Sequence, residues 1–251
     1  MNFVKIPNLP DDSLRLAVVD GRLSAEACST FADMDVELVM TDKMPGLYEA
    51  ISCHPDLVLH HVGGNRIVYA PGISQELLQK LENRGFELIK GKSVLQGCYP
   101  LDIPYNVARV GRWAFHNLKY TDPVLLEELK RQGVEMVHVN QGYAKCSVSV
   151  VDAESIITAD RAIAAKAGLL GLDVLLIEEC QNIMLPGIDR GFIGGSTGLI
   201  DKDLWAINGN VHMLKSFDSI RQFLKKRNIG VVSLTSGQPV DIGTILPLLQ
   251  K

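Results

Sequence analysis

Gln141–Ile163 reads QGYAKCSVSVVDAESIITADRAI. Its run Cys146–Val151 alternates small polar and apolar residues, the period of a strand with one face in a core. Asp152, Ala153 and Glu154 then make a turn, Ser155–Thr158 is a second strand-like run, and a helix is expected to open at Asp160. The same plan recurs at Gly194–Ile207 (GGSTGLIDKDLWAI), with an Asp-Lys-Asp turn, and at Leu57–Tyr69 (LVLHHVGGNRIVY) and Asn106–Phe115 (NVARVGRWAF), with glycine turns. A repeated hairpin is the signature of an array of equivalent units, and it decides the fold class.

The rest of the chain falls into place around those hairpins. Helices are expected to start near residues 24, 74, 122, 160 and 217, four of them behind Ser24, Ser74, Asp122 and Asp160. They stop at Gly85, Gly133, Gly171 and Asn228, residues that accept the left-handed conformation ending a helix. Each unit then reads helix, strand, long loop, strand, tight turn, strand. The ends do not match: the last unit lacks its final strand, while Leu14–Val19 stands unclaimed near the start. A ring in which Leu14–Val19 pairs with a last strand at Val240–Leu248 solves both problems and removes exposed sheet edges. The expectation is a single α/β domain over 1–251, with residues 1–13 a polar leader on the surface. A nucleotide-binding reading of Gly191–Gly198 (GFIGGSTG) fails, because a phosphate-cradling loop needs a helix after it and here another strand follows.

Composition narrows the function classes. The 251 residues carry a net charge of −4, are 47% hydrophobic, and show no basic cluster beyond Lys225-Lys226-Arg227, so nucleic acid and anionic membrane are not expected partners. No apolar run is long enough to span a bilayer, and residues 1–12 lack the apolar core of a secretory signal. Cys28, Cys53, Cys98, Cys146 and Cys180 are scattered and never in metal-binding spacing, which points to reduced thiols, no cofactor, no metal and a cytoplasmic protein.

Five ββαβ units in a closed ring resemble the pentein, or amidinotransferase-like, propeller. The resemblance extends from Leu14 to Leu248 and rests on architecture and small-residue strands. It implies a superfamily that includes arginine deiminases, dimethylarginine hydrolases, amidinotransferases and a ribosome anti-association factor. In its enzymes a cysteine of the last unit attacks a guanidinium carbon, a histidine of the fourth unit moves protons, and carboxylates of the early units hold the cation. Such residue types suit a planar positive group, which carboxylates pair bidentately and an activated thiolate attacks.

The match fails at the decisive places. The last unit reads TSGQPVDIGTILPLL (Thr235–Leu249), with Gly243 or a neighbour where the nucleophile would sit, and no cysteine follows Cys180. The fourth unit offers Asp189, Arg190 and Gly191 and no histidine before His212; the second offers Tyr105 and Asn106 in place of an Arg-Asp pair. Cysteine-dependent guanidine chemistry is therefore not expected.

The polar residues at the entrances to the inner strands are Asp56, Asn106, Lys145, Cys146, Asp189, Arg190 and Asp241. They stand at equivalent places that must converge on the ring axis, which nominates Asn106, Lys145, Cys146, Asp189, Arg190 and Asp241 as a ligand-binding set. Lys145 and Cys146, if on a strand, would face opposite ways. Of His60 and His61, one ring is expected inward and one outward, while His54 sits in a long loop without a partner to define it. Two functions remain. One is an axial site for a small molecule, amino-acid-like or guanidine-like. The other is a non-catalytic interaction protein resembling the anti-association member, and a packed axis would favour it.

Overall fold

The structure, a computed structural model, describes residues 1–178, 182–188 and 190–251. Strand β1 is Asn2–Phe3 and β2 is Leu14–Asp20; helix α1 (Ala25–Asp33) opens where the Ser24 hydroxyl accepts the Ala27 amide, and β3 is Glu37–Thr41. A short helix α2 (Pro55–Val58) leads into β4 (Leu59–Gly63) and β5 (Arg66–Tyr69), followed by α3 (Gln75–Glu82) and β6 (Glu87–Lys90). Next come β7 (Ala108–Val110), β8 (Trp113–His116), α4 (Pro123–Arg131) and β9 (Glu135–His138). A second short helix, α5 (Ala144–Ser147), precedes β10 (Val148–Asp152), β11 (Ser155–Thr158), α6 (Arg161–Leu169) and β12 (Asp173–Leu176). The chain finishes with β13 (Thr197–Asp201), β14 (Leu204–Ile207), α7 (Phe217–Lys225), β15 (Gly230–Ser233) and β16 (Leu246–Gln250).

The strands form five small sheets: β4-β5-β6, β7-β8-β9, β10-β11-β12, β13-β14-β15 and β1-β16-β2-β3. In each, an inner strand pairs antiparallel with a middle one, and a helix carries the chain over to an outer strand parallel to it. The fifth sheet is completed from both ends of the sequence, with Leu246 opposite Val18 and Pro247 opposite Ala17. The inner strands β7, β10, β13 and β16 adjoin one another, so their two faces are both covered and β4 is buried at every residue. Outside, Leu77 and Leu81 of α3, Leu125 and Leu129 of α4, and Ile220 and Leu224 of α7 face the core, each fully buried or within 1% of it. Burying such a side chain contributes about 1.5–3 kcal/mol. This is the five-unit α/β propeller that the hairpin repeat predicts.

Four expectations are corrected. The final strand begins at Leu246 rather than Val240, because the amides of Asp241, Ile242 and Thr244 bond out of register to Met184 and Gly195. The run expected as a strand from Cys146 starts as the helical half-turn α5 and becomes strand only at Val148. His60 and His61 are both buried, since an inner strand has no outward face, and desolvation lowers their pKa values to about 3 and about 4. The leader is not a surface appendage. Val4 is fully buried and its amide donates to Leu248 O at 2.9 Å, the Gly64 amide donates to Val4 O, and Asn8 Nδ2 donates to Arg109 O at 3.0 Å. It thus crosses the hairpin ends of the inner strands and covers that mouth of the ring.

Candidate functional site

At the opposite mouth, the segments that enter the inner strands meet. The first supplies His54-Pro55-Asp56: His54 occupies the position before α2, and Pro55 sets the first helical turn, where its missing N–H costs nothing. The second supplies Asn106, the third Lys145 and Cys146 on α5, and the fifth Asp241, Gly243 and Thr244. All of these side chains are buried, His54 to 1% exposure and Asp56 to 3%.

Asn106 is the organiser. Its Oδ1 accepts from the amides of Lys145 (2.8 Å) and Cys146 (3.3 Å), fixing α5, and its Nδ2 donates to Cys146 Sγ at 3.2 Å and to Asp56 O at 3.3 Å. The Cys146 thiol donates to Asp56 Oδ2 at 3.1 Å. Lys145 Nζ donates to Thr244 Oγ1 at 2.7 Å and lies 3.4 Å from Gly194 O. Thr244 holds φ of 85°, a conformation a β-branched residue rarely adopts. Asp241 spends its carboxylate on the amides of Gly243 (3.0 Å) and Phe192 (2.8 Å).

His54 stands between two carboxylates, with Nε2 3.9 Å from Asp20 Oδ2 and Nδ1 4.0 Å from Asp241 Oδ1, both beyond hydrogen-bond reach. Asp20 is held by Arg22, which donates from Nε at 2.9 Å and from Nη2 at 2.6 Å. Neither His54 nitrogen has a hydrogen-bond partner, nor does Asp56 Oδ1. Half-buried Tyr48, Tyr143 and Phe192 form a neighbouring aromatic layer, the Tyr143 and Phe192 rings stacked at 6.2 Å and the Tyr48 and Tyr143 hydroxyls 3.3 Å apart.

Burial dominates the electrostatics. It raises Asp56 to about 6, against the pull of His54 and Lys145, and it lowers Lys145, against Asp56, Cys146 and Asp241. It pushes Cys146 well above the ordinary thiol value, and the carboxylates of Asp56 and Asp241 push it further. The Cys146 thiol is a hydrogen-bond donor to Asp56 here, and its burial with the two carboxylates beside it opposes a thiolate.

Glycines make the room. A Cβ on Gly243 would stand 2.3 Å from His54 Cβ, and one on Gly195 would stand 2.0 Å from Asp241 Oδ1. No side chain can therefore occupy position 243, where the resemblance placed a nucleophile. A cavity of about 10 Å³ is lined by Asp56, Lys145 and Thr244 from this side, by His60, His61 and Tyr105, and by Pro7 and Asn8 of the leader.

Of the six residues the sequence nominates, Asn106, Lys145, Cys146 and Asp241 come together. Lys145 and Cys146 both face the axis, because a helical half-turn replaces the strand that would have split them. Arg190 is exposed and lines a separate cavity of about 320 Å³ with Gln141, Ser147, Asp160, Ile177 and Phe192. Asp189 lies outside the described residues. The mixed-charge cage pairing Lys145 and Arg190 with Asp189 and Asp241 is not what the described side chains build. His54, Asp56, Thr244 and Asp20 complete the site and were absent from the nominated set. Asp56 stands among the entrance residues of the sequence but outside the six; His54, two residues before it, could have been found by the spacing His54-x-Asp56 ahead of an inner strand, at the place Lys145-Cys146 holds two units later.

Comparison with known structures places the architecture. The chain aligns over 100% of its length with 98% of the inosamine-phosphate amidinotransferase StrB1 of Streptomyces griseus, at 11% identity and a TM-score of 0.60. It covers 92% of itself and 91% of SxtG, an amidinotransferase of Microseira wollei, at 12% identity and a TM-score of 0.56. Against the agmatine deiminase of C. jejuni the figures are 99% and 96%, 11% and 0.56. The fold is the pentein propeller of these guanidine-modifying enzymes. A sequence search of curated proteins finds no match. Residues 18–246 match the model of the Family of unknown function (DUF6873), and the chain belongs to that family. Among the described residues no helix is long and apolar enough to cross a membrane.

Proposed function

We propose that this pentein is a binding protein whose axial site, built on Asn106, Lys145, Cys146 and Asp241 with His54 and Asp56, takes a small polar ligand without a thiolate nucleophile. The observation that carries the reading is the set of unpartnered polar atoms, both nitrogens of His54 and Oδ1 of Asp56, buried at the point where four units meet. Each unsatisfied buried group costs about 1–3 kcal/mol, and a ligand that pairs with them recovers that cost. The protonated, carboxylate-bound state of Cys146 supports the second half of the reading. The test has two arms. Incubation with arginine, agmatine or dimethylarginine is expected to release neither citrulline nor urea; release abolished by Cys146→Ser would refute the absence of thiolate chemistry. Thermal melting of the full chain with a panel of amino acids, small cations and metal ions is expected to show a ligand-dependent rise lost in Asn106→Ala. A flat panel refutes the site.

A second reading has its own observation. The axial cavity left beside the cluster is about 10 Å³, the room of one water molecule, so an amino-acid-sized ligand requires the site to open. A filled axis favours a non-catalytic interaction protein, and a flat ligand panel together with retention of a macromolecular partner would favour it.

A further inference from the structure

We propose that the ligand of the axial site is a single divalent zinc-type metal ion held by His54, Asp56 and Cys146. The inference rests on the reading that the axial site binds a ligand, and it names the ligand's chemical class.

A ring nitrogen of His54, a carboxylate oxygen of Asp56 and Cys146 Sγ all lie within 4.8 Å of one another. Donors around tetrahedral zinc stand about 2.0–2.3 Å from the metal, hence roughly 3.3–3.8 Å apart, so rotation by about an ångström closes the set. Cys146 Sγ and Asp56 Oδ2 are already 3.1 Å apart. Two of the three side chains bring atoms that have no hydrogen bond: neither His54 nitrogen and not Asp56 Oδ1 finds a partner, although the residues are 1% and 3% exposed. A chance cluster of surface carboxylates has no such deficit.

Donor type selects the ion. Imidazole, carboxylate and thiol together suit borderline ions such as Zn²⁺ or Co²⁺, whereas Mg²⁺ and Ca²⁺ take oxygen sets. Charge closes as well. On binding, the thiol proton that Asp56 now accepts leaves to solvent, and one thiolate with one carboxylate neutralises the dication, a large gain for charges buried this deeply.

The surroundings are those of a supported metal site. Asn106 Nδ2 already donates to Sγ at 3.2 Å and its Oδ1 fixes the Cys146 amide, so the sulfur is oriented before any ion arrives. Asp20 and Asp241 stand at opposite nitrogens of the His54 ring, so whichever nitrogen binds, the other faces a carboxylate. Lys145 is turned to Thr244 Oγ1 and away from coordination. Three protein ligands leave a fourth, tetrahedral position open to a water or a ligand atom.

The test uses the full chain, stripped with a chelator and titrated with Co²⁺. The expected result is saturation at one equivalent, with a sulfur-to-cobalt charge-transfer band that Zn²⁺ abolishes, and a melting temperature that rises with added Zn²⁺. Cys146→Ser is expected to lose the band. Asn106→Ala should weaken binding by about 10–100-fold, the usual effect of losing an outer partner, and His54→Ala or Asp56→Asn by more. Circular dichroism checks that each variant folds, and the Zn²⁺-dependent melting of the unaltered chain needs no variant. Absence of both the band and the melting shift overturns the metal, as does an unchanged band in Cys146→Ser. If the metal fails while an amino acid or agmatine raises the melting temperature in an Asn106-dependent way, the axial site stands and only the metal falls; if neither binds, both fall.

Discussion

Replacing Gly243 by alanine tests the arrangement at the axis directly. Gly243 holds φ of 64°, and a Cβ there would sit 2.3 Å from His54 Cβ, 2.5 Å from His54 Cγ and 2.7 Å from its Cα. Two costs add. Placing alanine in the left-handed region costs about 1–2 kcal/mol, and forcing an extra carbon into a closed core costs about 1–3 kcal/mol more. Gly171 supplies the control: its φ is 86°, and a Cβ there would meet nothing within 4 Å. Gly171→Ala should therefore show the conformational cost alone. At about 2–4 °C per kcal/mol for a chain of this size, Gly243→Ala is expected to melt roughly 4–20 °C below the unaltered protein and Gly171→Ala roughly 2–8 °C below it. Thermal and urea unfolding followed by circular dichroism measure both. Equal losses in the two variants would mean that His54 does not approach position 243, and the assembly of the axial site described above would be wrong.

The buried titrating groups predict a pH profile. His60, His61 and His116 have folded pKa values lowered to about 3, 4 and 4, so the stability they contribute is full above about 6.5 and is lost as pH falls toward those values; urea midpoints should drop steeply between pH 6.5 and 4. Asp56 runs the other way. Raised from 3.8 to about 6, it favours folding below pH 4, and that contribution, about 3 kcal/mol, disappears by pH 6, so Asp56→Asn should gain on the unaltered protein as pH rises through that window. No change in their difference between pH 4 and 7 would contradict the burial of Asp56. Asn106→Ala removes the side-chain acceptor of the Cys146 amide and the donor to Cys146 Sγ, while the Lys145 amide keeps only Asn106 O at 3.2 Å; it should cost about 2–4 kcal/mol in urea unfolding, whereas a loss under 0.5, roughly the surface value, would deny it the organising role. Removing residues 1–12 uncovers Leu248 O and Arg109 O and should lower the melting temperature although β2 remains; an unchanged value would make the leader dispensable.

What the sequence made legible is what is local. Ser24, Ser74, Asp122 and Asp160 accept the amides of their own first turns, so a four-residue window suffices to see the helix start. Gly85, Gly133, Gly171 and Asn228 all take positive φ, and the stops are equally local. What it hid depends on contacts across the ring. Lys145–Ser147 continue the alternation of the strand that follows them, and the carbonyl and side chain of Asn106, far away in sequence, hold the amides of Lys145 and Cys146 in a helical half-turn instead. His54 carries no periodic signal, because its place is defined by the missing side chain of Gly243 in another unit. The leader has the polar, proline-bearing composition of a surface strand, yet Val4, Pro7 and Pro10 are buried, since the mouth they cover exists only after the ring has closed.

A ring of equivalent units makes one end of the axis a shared volume, and volume there is exchanged between units. Units four and five give up side chains at Gly195 and Gly243, and Asp241 and His54 fill the space they leave. A function assigned unit by unit, asking whether each carries its customary residue, would score this chain as having lost its site. Counted as a volume, the same positions hold an imidazole, two carboxylates, an amine and a thiol, all buried, with three polar atoms still unpaired. Keeping such atoms from water costs folding energy on every chain made, and an axis that served only to fill space would be filled more stably by apolar side chains of the same size. Both nitrogens of His54 and one oxygen of Asp56, beside a thiol, are the groups that a ligand at this axis would pair.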